Sequence, residues 1–167
     1  NRSTTASESD LARSVFDAVV NVATQYKACS HDQLNFMTAD DTALTGNHDG
    51  GGETGISNGV TTVRVHMPTN EGDSAMRNAI TSALNQNFGQ SSPTHLADHV
   101  MYCLPAGTMI GIAYAYVNSW NSVYSDEWCD YMSVQMHEIG HNLNLAHANE
   151  IGAYQDQSGM VSDNRIL

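Results

Sequence analysis

Apolar residues recur at helical spacing in two stretches and alternate or cluster in several shorter ones. Leu11, Val15, Val19, Val22 and Tyr26 keep a helical period, which predicts one amphipathic helix over residues 9–28 capped by Ser9 or Ser7. Met76, Ile80 and Leu84 predict a second helix that starts at Asp73 or Ser74 and stops at Gly89. Gln33–Met37 alternates like a short strand, and Val60–His66 is β-branched and alternating, hence a strand. Val100–Leu104 is a continuous apolar run, as expected of a strand buried on both faces. Met109–Val117 reads as another strand and Ser119–Ser125 as a last short one. Between them, Thr38–Asn58 is polar and glycine-rich and predicts a surface loop. Helix, strands, helix and strands in this order predict an α/β or α+β domain with a mainly parallel sheet.

The 167 residues suit one domain with a real core, and 41% of them are hydrophobic. No run of about 18 apolar residues is present, so no transmembrane helix is expected. The chain opens Asn1-Arg2-Ser3 without a leader, which predicts a processed or cut piece. Net charge is −12 and Lys27 is the only lysine. That balance argues against nucleic acid and anionic membrane surfaces, since both select clustered positive charge. It fits an extracellular setting, and equally simple solubility.

The chemistry lies in residues 137–147, His-Glu-Ile-Gly-His-Asn-Leu-Asn-Leu-Ala-His. His137 and His141 are four apart, so on a helix they share one face and both imidazoles reach one Zn²⁺. Glu138 lies beside them, placed to take a proton from a zinc-bound water. A helix running straight on would carry His147 about 15 Å along its axis from His137. The helix must therefore end and the chain turn back, and Asn144 stands where the break is needed. Asn tolerates the left-handed conformation that ends many helices. Three protein ligands leave a fourth tetrahedral position open, the pattern of a catalytic rather than a structural zinc. Tyr131–Met136, after the acidic Asp126, Glu127 and Asp130, predicts the start of this helix.

These eleven residues resemble the metzincin signature HExxHxxGxxH, with Asn144 where most members have Gly. Ser158-Gly159-Met160 resembles the Met-turn that places a methionine, here Met160, beneath the metal. Within the metzincins the chain is most similar to the gametolysin family, peptidases best known from algae. The similarity runs through Gln25–Ser30, Met136–Asn149, Tyr154–Met160 and the Gly59-Val60 opening of a strand. It implies a metzincin-like zincin fold with a twisted sheet and an active-site helix. The expected division is one catalytic domain over 1–167, with an upper subdomain to about 147 and a short or missing lower subdomain over 148–167. It also implies that the edge strand above the zinc binds an extended substrate antiparallel, and Met109–Val117 is the candidate for that edge, an ordinary internal strand being the alternative. Some metzincins place a Tyr two residues after the Met; Ser162 stands here, which leaves zinc and Glu138 to stabilise the oxyanion.

The resemblance implies a secreted zinc endopeptidase acting on extracellular or cell-wall proteins. His137, His141 and His147 would hold the metal, and Glu138 would be the general base. The alternative is a catalytically silent zinc-binding module that binds extracellular matrix or cell-wall proteins. The expected partners are a protein or peptide substrate and a C-terminal fragment or propeptide. Asp40, Asp41, Asp49, Glu53 and Asn47 are candidate Ca²⁺ ligands, but their spacing matches no EF-hand and a solvated loop is the better reading. The other histidines, His31, His48, His66, His95 and His99, show no second metal pattern. The three cysteines, Cys29, Cys103 and Cys129, allow one disulfide and a leftover thiol. A Cys103–Cys129 bond would tie a strand to the approach of the zinc helix, but sequence does not choose among the three pairings.

Overall fold

Ser7 opens the first helix, α1 (Glu8–Ala12), through a reciprocal cap: its hydroxyl oxygen accepts from the Asp10 N–H and the Asp10 carboxylate accepts from the Ser7 N–H. In the computed structural model, which describes residues 2–39 and 55–147, the helix widens into a π-type turn over Arg13–Asp17 and then stops. The chain is extended at Ala18, and a separate helix, α2 (Val22–Cys29), begins after Asn21. The single helix expected over 9–28 is therefore two. Its break has a clear cause. The Asn21 carboxamide oxygen accepts from the Thr24 N–H at 2.7 Å, while its Nδ2 donates to the carbonyls of Phe16 and Ala18 at 2.6 and 2.7 Å. One buried side chain thus ends one helix and starts the next. Val19, counted in the apolar stripe, is 96% exposed on that break.

Further on, α3 (Asp73–Phe88) runs as expected and ends at Gly89, whose φ of 62° is the left-handed conformation of a helix stop. Among the described residues the sheet has three strands: β1 (Val100–Leu104), β2 (Ala113–Ala115) and β3 (Asn121–Ser125), in the order β1-β3-β2. β1 pairs with β3 in parallel and β2 with β3 antiparallel. Among the described residues the sheet is thus mixed rather than mainly parallel. The short link between β2 and β3 can only reverse direction, whereas the longer path from β1 to β3 permits a parallel return. The last helix, α4 (Met132–Asn142), follows a 3₁₀ turn over Asp126–Asp130.

Other expected strands shrink or vanish. Met109–Val117 contributes only Ala113–Ala115, with Ile110 fully exposed in the turn before it. Gln33–Met37 forms no strand. Val60–His66 forms none either, because its backbone finds no ladder. Among the described residues Val60 pairs only with Ser57, across an Asn58-Gly59 turn in which both residues have positive φ. A Cβ on Gly59 would lie 2.9 Å from the Phe16 ring, so space as well as φ favours Gly there. A cavity of about 1130 Å³ lies between this stretch and β1.

The sheet carries apolar residues on both faces. Tyr102, Leu104 and Val123 meet Met76 and Ile80 of α3 on one side. On the other, Tyr124 packs with Cys129 and Ala6, while Val22 and Tyr26 of α2 pack with Met136 and Ile139 of α4. Burying a side chain of this size contributes about 1.5–3 kcal/mol. A disulfide joins Cys103 to Cys129, and Cys29 is a free, exposed thiol. Of the three pairings open to sequence, this one anchors β1 to the turn that launches α4. No helix among the described residues is long and apolar enough to cross a membrane.

Candidate metal centre

The second half of α4 carries His137, Glu138 and His141, and its C-terminus decides where the third histidine goes. Asn144 has φ 71°, the left-handed conformation that Asn accepts more readily than most residues. The Asn144 N–H donates to the His141 carbonyl and the Leu145 N–H to the Gly140 carbonyl, both at 2.9 Å. This is the paired bonding of a Schellman stop, and it satisfies carbonyls that the helix end leaves open. The reversal brings His147 back over the helix. The Nε2 atoms of His137, His141 and His147 then lie 3.0–3.2 Å from one another.

That spacing suits one metal ion. Nitrogens bound to zinc at about 2.0–2.1 Å in tetrahedral geometry sit roughly 3.3 Å apart, within a few tenths of an ångström of the distances here. These three side chains form a metal-capable cluster, with ligand atoms all within 4.8 Å of one another. Burial, followed by the neighbouring imidazoles, holds His137 below the usual histidine range; burial and His141 do the same for His147. A lowered pKa favours the neutral ring that a metal requires.

The turn has a second effect that the motif alone does not reveal. His141 Nδ1 lies 2.8 Å from the Leu145 carbonyl, an acceptor, so Nδ1 carries the proton and Nε2 presents its lone pair. Asn144 therefore places one candidate ligand, His147, and, through Leu145, orients another, His141. Glu138 is buried, and its Oε2 has no hydrogen-bond partner among the described residues. Burial pushes its carboxyl up to about 7. A dication beside it would draw that value down again. A buried carboxylate oxygen with no partner among the described residues needs one, and water is a candidate on a helix that also carries His137 and His141.

The surroundings hold α4 in place through polar groups that spacing does not mark. The Tyr26 hydroxyl donates to the Met136 carbonyl at 2.6 Å. Gln135, fully buried, donates to the Cys129 carbonyl at 2.6 Å and to the Ser14 hydroxyl at 2.8 Å. Asn142 donates to the carbonyls of Tyr116 and Asn121. The one signal available in sequence was their polarity within otherwise apolar helical stretches. Met160 lies outside the described residues, as do Asp40, Asp41, Asn47, Asp49 and Glu53 of the loop considered for Ca²⁺. His99 packs edge-on against Phe36, with ring centroids 6.0 Å apart, and His95 lies near Ser91, away from the metal cluster.

Comparison with curated proteins and with solved structures gives no match. A family model described as gametolysin peptidase M11 matches residues 3–164, nearly the whole chain. With two of its three clustered histidines on the last described helix and the third just past the helix stop, the chain belongs to the gametolysin family of metallopeptidases.

Proposed function

We propose that this is a secreted zinc-dependent endopeptidase that hydrolyses peptide bonds of extracellular or cell-wall proteins. The observation that carries the reading is the convergence of His137, His141 and His147, with the buried Glu138 next to His137 on the same helix. Three neutral imidazoles in a tight cluster suit zinc among the divalent metals, and three protein ligands leave a position for chemistry. Zinc supplies a Lewis acid that polarises the scissile carbonyl and eases deprotonation of water near neutral pH. Glu138 takes the proton of the attacking water and hands it to the leaving amine nitrogen, so the same oxygen serves first as base and then as acid. The Leu145 carbonyl keeps His141 in the ligating tautomer throughout.

A substrate chain has a place to lie. Among the described residues β2 is an edge strand, and α4 lies close to it. Extended peptides add to such edges through main-chain hydrogen bonds. Secretion is supported by the Cys103–Cys129 disulfide, since such bonds persist mainly in oxidising compartments. We assign the whole of 1–167 to one catalytic domain and Met160 to the Met-turn.

Cleavage of a denatured protein by the zinc-loaded chain, wild type beside Glu138→Ala, tests this. Activity should fall about 10²–10⁴-fold in the variant with one zinc retained per chain. Normal activity in Glu138→Ala would refute the mechanism. No cleavage by either protein, with zinc bound to both, would favour a silent binding module.

A further inference from the structure

The residue after the second histidine, Asn142, is buried at the last turn of α4, yet it neither touches the metal cluster nor caps its own helix. Its Nδ2 donates to two carbonyls outside the helix: Tyr116, just past β2, at 3.2 Å, and Asn121, the first residue of β3, at 2.9 Å. A third bond joins the same places. The Asn118 N–H donates to the carbonyl of His141 at 2.8 Å. The β2–β3 connection is thereby clamped to the helix turn that holds a metal ligand.

β2 is also braced from its other face. The Tyr114 hydroxyl donates to the Asp73 carboxylate at 2.7 Å, and Arg77 lies over the Tyr116 ring at 5.8 Å. Those contacts tie β2 to α3, and Asn142 ties it to α4. The strand's open side follows from its register. The Ile112 carbonyl accepts from the Ser125 N–H, so the backbone groups of Ile112 and Tyr114 turn toward β3. Those of Ala113 and Ala115 turn outward, and no described strand pairs with them there.

Resting on the peptidase reading above, we propose that Asn142 is a positioning residue that sets edge strand β2 at a fixed height and register against the metal centre. A substrate paired on Ala113 and Ala115 is thereby delivered with its scissile bond at His137, His141, His147 and Glu138. Asn142 acts through the strand and touches neither substrate nor metal. Its removal should weaken only those ligands long enough to pair with the strand.

The test uses the zinc-loaded full chain as wild type, Asn142→Ala and Asn142→Ser, the last keeping one donor. Calorimetry measures binding of a long peptide hydroxamate and of acetohydroxamate, which reaches the metal alone. Cleavage of a long peptide gives KM and kcat. In Asn142→Ala the Kd of the long hydroxamate and the KM of the long peptide should each rise about tenfold, the equivalent of 1.4 kcal/mol. Acetohydroxamate affinity and kcat should hold, with Asn142→Ser in between. Equal loss for both hydroxamates would overturn the proposal by showing general damage to the metal centre. No loss for either would overturn it as well. If Asn142→Ala does not fold by circular dichroism, Asn142→Ser against wild type decides in the same way. If the wild type cleaves nothing but the length-dependent loss of hydroxamate binding persists, the peptidase reading fails and the positioning role stands.

Discussion

Two asparagines divide this molecule into a part where a break in the chain was legible and a part where it was not. Asn144 ends α4 in the left-handed conformation, and Asn21 begins α2 from an extended one. Both interrupt a stretch that looks helical by period. At Asn144 the interruption is demanded by the geometry, because His147 meets His137 and His141 only if the helix stops. At Asn21 nothing in the period demands it. Val15, Val19 and Val22 step across the site at helical spacing, and the break shows only once the buried carboxamide is seen serving two helix ends. Hydrophobic period reports which residues a continuous helix would bury; it carries no record of where a polar side chain competes for the backbone.

The comparison is broken most severely by Asn144→Ile. A β-branched residue resists the left-handed conformation, so His147 and the Leu145 carbonyl should both be displaced. Zinc affinity should fall about 10- to 100-fold, measured by competition with a chromophoric chelator. Asn144→Gly is the control and should keep wild-type affinity; a comparable loss there would show that the carboxamide matters beyond its φ. Asn21→Ala should cost about 2 kcal/mol in chemical denaturation, because it removes a cap and the donor shared by the half-buried carbonyls of Phe16 and Ala18. Zinc affinity should not move, since Asn21 only links α1 to α2. Val22→Ala should cost about 1.5–3 kcal/mol, while Val19→Ala should stay within about 0.5 kcal/mol. If the two valines proved equally costly, the break at Ala18–Asn21 would be wrong and the single helix restored.

Other elements sort by the same rule. α3 was legible from end to end because an apolar stripe, an acidic start and Gly89 agree. β1 and the body of α4 were legible for the same reason. Val60–His66 had the composition of a strand but not its partner, and Met109–Val117 kept only its centre. A strand exists through a neighbour's backbone, and composition does not name the neighbour. The disulfide was one of three pairings until the fold brought the Cys103 and Cys129 Cα atoms to 5.5 Å.

Sequence by itself determined which three histidines are candidates to meet, which carboxylate neighbours them along the helix, and where the helix has to end for them to do so. Those facts follow from spacing along one short segment, where the geometry of a helix turns residue number directly into direction. Tertiary structure alone decided that β2 lies at an edge of the described sheet, that β1 is bonded to the turn before α4, and that Asn142 joins α4 to the connection between β2 and β3. Each of these depends on groups that meet across many residues of chain. Local spacing holds no information about them, and burial leaves each polar group there needing a partner that only the folded arrangement supplies.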